Sequence, residues 1–163
     1  MSAFVREPLL VSACLLGICC NHRGASSPRA AVGELRADFR LIPVCPEVAG
    51  GLPVPRPEAE LQPDGRVLTV DGGDVTDAYE RGAASAVALA ARLGATRAVL
   101  KARSPSCGTE QVYDGTFSST LVAGAGRTAD ALRAAGLAVR SEETLGDWIP
   151  SRQTPKASGK AGA

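Results

Sequence analysis

The 163-residue chain has few aromatic residues, no long apolar run and almost no net charge. Aromatic side chains make up 4% of the sequence against 45% hydrophobic residues, so a core must be built mainly of alanine, valine and leucine. No apolar run approaches the roughly 20 residues that a helix needs to cross a bilayer. The net charge of +1 gives no electrostatic reason to expect a nucleic acid or an anionic membrane as partner.

Secretion signals and cysteine pairs are also lacking. The first eight residues, Met-Ser-Ala-Phe-Val-Arg-Glu-Pro, do not contain the apolar region of a signal peptide. We therefore expect the protein in the cytoplasm, where thiols stay reduced. The five cysteines are an odd number, and none has the Cys-x-x-Cys spacing. The sequence thus favours neither a disulfide framework nor a zinc ribbon.

The apolar periodicity predicts alternating strands and helices. Strands are predicted at residues 9–13, 41–44, 97–100 and 137–139. Helices are predicted at 28–39, from a cap at Thr76 or Asp77 to about residue 93, and at 129–135 after a cap at Thr128. The turn Pro63-Asp64-Gly65 predicts a small hairpin inserted between them. This order is typical of a single α/β, Rossmann-like domain over residues 1–149, with a parallel sheet flanked by helices. Residues 150–163 are small and polar, and we expect them to form a disordered tail.

Three cysteines lie just past the carboxyl ends of predicted strands: Cys14, Cys45 and Cys107. Because the carboxyl ends of parallel strands meet at one edge of a sheet, we expect these thiols at a common rim. Thiolates bind zinc, copper(I) and iron–sulfur clusters, and three cysteines from three loops suit a cubane with one iron lacking a protein ligand. Cys19 or Cys20 could supply a fourth ligand. The alternative is that these cysteines are small buried apolar residues.

Several longer motifs resemble those of one bacterial family, the 2-thiouracil desulfidases (desulfurases), in order and over about residues 9–142. The motifs are Val-Ser-Ala-Cys-Leu-Leu-Gly at 11–17, Pro-Val-Cys-Pro-Glu-Val-Ala-Gly-Gly-Leu-Pro-Val-Pro-Arg-Pro at 43–57, Gly-Asp-Val-Thr at 73–76, Leu-Lys at 100–101, Ser-Pro-Ser-Cys-Gly at 104–108 and Tyr-Asp-Gly-Thr-Phe at 113–117. The resemblance implies a [4Fe–4S] cluster held by Cys14, Cys45 and Cys107. Its fourth iron would be open to the sulfur of a thiocarbonyl group.

The resemblance also implies which residues carry the chemistry. Glu47 and Ser104 correspond to the acid/base candidates, with Ser104 favoured over Ser106. We further expect Lys101, Ser106 and Tyr113 to contact the substrate. The expected reaction is desulfuration of a thiolated pyrimidine or related small thiocarbonyl compound, with hydrolytic release of hydrosulfide and no net redox change. The expected partner is this small molecule, and the expected assembly is a monomer or homodimer.

One loop departs from the family pattern. Residues 20–24 read Cys-Asn-His-Arg-Gly, where the family usually has a sequence such as Cys-Arg-Tyr-Asp-Gly. We expect this loop to face the substrate.

Two other functions remain open from the sequence. One is a cluster-free sulfurtransferase in which the Cys107 thiolate carries a persulfide. The other is a non-catalytic module that binds a metal or a nucleotide.

Overall fold

The computed structural model describes residues 5–149 of the chain, and this part contains eight strands and four α-helices. In chain order the strands are β1 (Glu7–Ser12), β2 (Phe39–Val44), β3 (Ala59–Leu61), β4 (Val67–Thr69), β5 (Arg97–Leu100), β6 (Gln111–Tyr113), β7 (Leu121–Ala123) and β8 (Ala138–Ser141). The helices are α1 (Ala30–Glu34), α2 (Pro46–Ala49), α3 (Thr76–Leu93) and α4 (Arg127–Ala134). The predicted tail, residues 150–163, lies outside the described residues.

The central sheet has the strand order β2-β1-β5-β8, and each neighbouring pair is parallel. Leu9, Leu10 and Val11 of β1 are fully buried, because both faces of a parallel sheet are covered. On one face Leu10 packs with alanines of α3 and with Leu132 of α4. On the other face Leu9 and Val11 pack with the α1 segment and Trp148. The predicted α/β fold with a parallel sheet flanked by helices is confirmed.

The short helix α2 is pressed against the long helix α3 through two glycines. A Cβ atom on Gly82 would lie 2.0 Å from the carbonyl oxygen of Pro46, and one on Gly50 would lie 1.9 Å from that of Ala78. Only glycine permits such an approach of two backbones. Because α2 begins directly after Cys45, this contact fixes the segment that carries Cys45 into the site.

Two small hairpins lie beside the sheet. The predicted one is confirmed as β3–β4, and a second one, β6–β7, was not predicted. Glu60 of β3 is 2% exposed, and its Oε2 accepts the backbone N–H groups of Gly115 (2.8 Å) and Phe117 (3.1 Å). This buried carboxylate ties the turn of the second hairpin to the first and so holds Tyr113, at the end of β6.

The predicted helix over residues 28–39 is too long. The structure has α1 over Ala30–Glu34, a 3-10 turn over Leu35–Ala37, and then β2 from Phe39. Gly33 lowers the helix propensity at the centre of this segment, and pairing with β1 extends the chain earlier than the apolar pattern predicts. Within residues 5–149 no helix is both long and apolar enough to cross a membrane.

Candidate functional site

The three strand-end cysteines line one cavity of about 270 Å³. Cys14 lies in a 3-10 turn that follows β1, Cys45 follows β2, and Cys107 lies in the loop after β5. These strands are neighbours in the sheet, so their carboxyl ends open onto the same space. The structure therefore brings together thiols that are up to 93 residues apart in the sequence.

The Cys107 loop is held by hydrogen bonds within itself. Ser104 Oγ accepts the backbone N–H groups of Ser106 (3.1 Å) and Cys107 (3.0 Å), and Gly108 N–H donates to the Ser104 carbonyl (2.8 Å). A Cβ atom on Gly108 would lie 2.8 Å from the carbonyl oxygens of Ser104 and Gln111. The hydroxyl of Ser104 thus fixes the backbone that carries Cys107 while its side chain also lines the cavity.

The start of α4 supports the same loop from behind. The backbone N–H groups of Arg127 and Thr128 donate to the carbonyls of Pro105 (3.0 Å) and Ser106 (2.9 Å). Thr128 was predicted as the helix cap, but it lies within the helix and its hydroxyl bonds Ser106 Oγ at 2.9 Å. These N–H groups are therefore occupied by hydrogen bonds within the protein.

Burial raises the pKa values of Cys14, Cys20 and Cys107. It raises the pKa of Cys107 to about 12, against a hydrogen bond from Ser12 that lowers it. It also raises the pKa of Cys14, which the charge of Lys101 lowers in part. Burial and the neighbouring Cys45 raise the pKa of Cys20 to about 12. In the absence of metal these thiols are protonated at neutral pH, and a bound cation would have to displace the protons.

Ser12 is a site residue that the sequence did not single out. It is buried at the end of β1, lines the cavity, and its Oγ accepts the backbone N–H of Lys101 at 2.9 Å. Since that oxygen accepts from Lys101, its own proton is free to point towards the Cys107 thiol. Its position in the Val-Ser-Ala-Cys motif could have identified Ser12 as a site residue.

The donor set suits a cluster better than a single ion. Among residues 5–149 no three His, Cys, Asp or Glu side chains are placed to hold one metal ion. In a cubane each thiolate binds a different iron, so the ligands surround a cavity instead of meeting at a point. Cys20 also lines the cavity, and Cys45 Sγ donates to its carbonyl oxygen at 3.8 Å. Cys19, by contrast, is exposed.

The Glu47 carboxylate is gripped on both oxygens. Arg56 donates to Oε2 from Nε (2.7 Å) and from Nη2, and the Tyr79 hydroxyl donates to Oε1 at 2.7 Å. Glu47 reaches the cavity from the first turn of α2, where its side chain is 13% exposed. Burial and the Glu47 charge raise the pKa of Tyr79, so its hydroxyl remains a donor. Burial lowers the pKa of Arg56, but the charge and hydrogen bonds of Glu47, together with the nearby Cys45 and Tyr79, raise it above its usual value.

Sequence reasoning missed these two partners. Arg56 belongs to the 43–57 motif, which was a usable signal. Tyr79 lies on the buried face of α3. From the helical periodicity of the sequence, a residue at such a position is predicted to be part of the hydrophobic core. Its hydroxyl meets Glu47 only because α2 and α3 approach so closely.

The predicted substrate residues fall into two groups. Lys101 and Tyr113 line the cavity, whereas Ser106 is 1% exposed and is not among the lining residues found in the described chain. Lys101 Nζ lies 2.8 Å from Glu142 Oε1. Arg103, another lining residue, pairs with Glu143 at 2.9 Å. The cationic side chains at the cavity thus each have a carboxylate partner.

The loop that departs from the family pattern faces the cavity, through Asn21 and His22. Asn21 Oδ1 accepts the backbone N–H groups of Arg23 (3.0 Å) and Ala25 (2.9 Å), which folds the loop back on itself. The carbonyl of His22 accepts the backbone N–H of Arg56 at 2.9 Å. The loop is therefore attached to the segment that grips Glu47.

Comparison with known proteins shows the family to which the chain belongs. Residues 9–144 match the family model described as 2-thiouracil desulfurase. A solved structure of the [4Fe-4S]-dependent thiouracil desulfidase TudS is 44% identical, with a TM-score of 0.80 over 86% of this chain and 93% of that chain. The uncharacterised protein YbbK of Bacillus subtilis (strain 168) is 38% identical over 150 residues, 86% of this chain and 99% of that protein. The resemblance inferred from the motifs is confirmed, and the chain belongs to the 2-thiouracil desulfurase family.

Proposed function

We propose that this enzyme holds a [4Fe–4S] cluster with Cys14, Cys45 and Cys107 and uses it to desulfurate a small thiocarbonyl compound, such as a thiolated pyrimidine. The observation that carries the proposal is the meeting of these thiols and a clamped carboxylate, Glu47, around one cavity. The family and the [4Fe-4S]-dependent relative support it. Free cysteines and such a cluster suit the reducing cytoplasm, where we place the enzyme.

The cluster and the protein have separate tasks in this proposal. When bound by three thiolates, the cluster supplies an iron without a protein ligand, which is a thiophilic Lewis acid for the substrate sulfur. Ser12 stabilises the thiolate of Cys107 by its hydrogen bond. Lys101 lowers the pKa of Cys14 and so favours its thiolate as well.

Glu47 is the group placed to move the proton of the attacking water. Water adds to the thiocarbonyl carbon, its oxygen becomes the oxo group, the carbon–sulfur bond breaks, and sulfur leaves as hydrosulfide with one proton released. No electron enters or leaves the substrate. A carboxylate positioned within reach of the water accelerates such a step by accepting its proton.

Ser104 is a donor in this scheme. Its oxygen already accepts two backbone N–H groups, so its hydroxyl proton is available to the cavity. It would donate a hydrogen bond to the charge that develops on the substrate. Ser106 acts indirectly, because its hydroxyl bonds Thr128 behind the loop. Tyr113 would offer its aromatic ring to the planar substrate.

The charges at the cavity favour a neutral substrate. Arg56, Lys101 and Arg103 are each paired with a carboxylate. A paired cation attracts a further anion less than a free one does, since the partner cancels much of its field. A free thiolated base or another neutral thioamide therefore fits this cavity better than a nucleotide.

The sulfurtransferase alternative is poorly supported by the environment of Cys107. The thiolate is the nucleophile in persulfide chemistry, and burial raises the pKa of this thiol to about 12. A reactive cysteine normally has a lowered pKa and is partly exposed. Cys107 is buried.

Anaerobic purification with 2-thiouracil as the probe tests the proposal. The protein should be brown, with about four iron and four sulfide per chain, and should release sulfide without an added reductant. Cys14→Ala, Cys45→Ala and Cys107→Ala should each lose the colour. Cys19→Ala, at the exposed cysteine, is the matched control and should keep it, as should Cys20→Ala. Zinc in place of iron, or colour retained by all single variants, would contradict the assignment.

A further inference from the structure

Arg56 and Tyr79, which were not predicted as site residues, hold the Glu47 carboxylate by hydrogen bonds. Within residues 5–149 they are the side chains that donate to its two oxygens. The Arg56 guanidinium takes Oε2, with Nε at 2.7 Å, and the Tyr79 hydroxyl takes Oε1 at 2.7 Å. They approach from different elements, the loop before β3 and the first turns of α3. With both oxygens held, the plane of the carboxylate is fixed, although its terminal torsion is otherwise soft.

The burial of these partners is difficult to explain by stability alone. The Arg56 side chain is 5% exposed and Tyr79 is 2% exposed. Desolvating an ion pair usually offsets most of its attraction, so a buried pair adds little to stability compared with apolar residues. The Arg56 side chain also donates to the backbone carbonyls of Pro53 (3.2 Å) and Cys20 (2.9 Å). Those contacts orient the guanidinium fork towards Glu47.

The backbone near Glu47 does not depend on the Tyr79 hydroxyl. The contacts of Gly82 with Pro46 and of Gly50 with Ala78 already lock α2 against α3. Removing one phenolic oxygen leaves this packing in place. The hydroxyl therefore acts on the carboxylate and not on the helix that carries it.

We propose that Arg56 and Tyr79 are positioning residues that together aim the Glu47 carboxylate at the substrate. Arg56, although it lines the cavity, is thereby withdrawn from direct anion binding, because its Nε and Nη2 atoms face Glu47. Tyr79 restricts the remaining rotation from the opposite side. The inference rests on the proposed role of Glu47 in catalysis.

Tyr79→Phe is the sharpest test, because it removes only the hydroxyl. With 2-thiouracil as substrate, kcat should fall about 10- to 100-fold, the effect of losing one hydrogen bond to a charged group. KM should stay within about twofold, and the iron content should not change. A loss confined to kcat separates positioning from a damaged cavity, which would also raise KM.

A double-mutant cycle tests whether Tyr79 acts through Glu47. In a Glu47→Gln background, adding Tyr79→Phe should lower kcat little further, since the group to be aimed is already inactive. Arg56→Lys keeps the charge but loses the fork, and it should show the same non-additivity. Arg36→Lys, at an exposed arginine whose Nε donates to the Gly33 carbonyl away from the cavity, is the control and should be unchanged.

A crystal structure of the Tyr79→Phe protein gives a readout independent of turnover. The Glu47 carboxylate should turn or occupy more than one orientation while α2 stays in place. The inference would be overturned if the Tyr79→Phe protein kept the wild-type kcat and a single, unchanged orientation of the Glu47 carboxylate. It would also be overturned if the kcat losses of the two single variants multiplied fully in the double variant. If wild-type protein does not act on 2-thiouracil, the proposed function fails for that substrate, and the crystal structure alone decides the positioning role.

Discussion

Gly82→Ala should both destabilise the protein and impair its site. Alanine in a helix interior is normally better than glycine by about 1 kcal/mol. At this position, however, the new methyl group would lie 2.0 Å from the Pro46 carbonyl oxygen and 2.7 Å from its carbon. Ordinary contacts between such atoms are about 3.5 Å, so α2 would have to move by about 1 Å or more. Both colliding atoms are backbone and cannot rotate away.

The size of the effect follows from these opposing terms. Overpacking of this kind costs about 1–3 kcal/mol, and a backbone clash belongs at the upper end. After subtracting the propensity gain, we expect a net loss of about 2 kcal/mol. For a chain of this length that lowers Tm by roughly 4–8 °C. A 1 Å displacement of a catalytic group can also cost about 100-fold in turnover, and α2 carries Glu47.

Thermal unfolding of the cluster-free protein, followed by circular dichroism, measures the first effect, and turnover of the reconstituted protein measures the second. Gly33→Ala is the matched control. It is also a helical glycine, but its nearest neighbour would be the Arg36 guanidinium at 3.8 Å. That variant should have unchanged or slightly higher Tm and normal turnover. A Gly82→Ala protein with wild-type Tm and wild-type rate would refute the argument that close α2–α3 packing places the site.

Three other variants or conditions give direct checks. Glu47→Gln should keep its iron yet lose about 10²- to 10⁴-fold in turnover, measured as sulfide release, because it cannot accept a proton; a near-normal rate would make the carboxylate a bystander. Ser104→Ala should lose less, about tenfold, since a single hydrogen bond is worth only about 0.5–1.5 kcal/mol net. In cluster-free protein, burial raises the pKa values of Cys20 and Cys107 to about 12, above the ordinary value of 9.0. The unfolded chain therefore loses these protons first, and Tm should fall as the pH rises from about 9 to 12; a flat profile would contradict this.

The four strands of the central sheet and their order of appearance were readable from the sequence, because buried parallel strands are continuous apolar runs. The strand over 97–100 was predicted with the bounds that the structure gives. The convergence of Cys14, Cys45 and Cys107 followed from topology, since each comes after a strand of the same sheet. Knowing the strand ends was sufficient to predict a common rim, without any knowledge of side-chain contacts.

The supporting contacts could not be read in the same way. Tyr79 and Glu47 are 32 residues apart, and their hydrogen bond depends on the close approach of α2 and α3. Ser106 is adjacent to Cys107 in sequence, yet the loop turns its hydroxyl towards Thr128. Neighbouring positions in a tight loop point in different directions, and sequence spacing does not say which of them faces the cavity.

The central claim is that the enzyme desulfurates its substrate by hydrolysis, without electron transfer. The most direct measurement of it is the ratio of sulfide to uracil formed when no electron donor is present. Anaerobically reconstituted protein is mixed with 2-thiouracil and no reductant, and sulfide and uracil are quantified together over several turnovers. The account predicts equal amounts of both products, because hydrolysis exchanges sulfur for the oxygen of water without electron transfer. Sulfide that appears only when an electron donor is added, or sulfur that passes solely to an acceptor thiol, would contradict it.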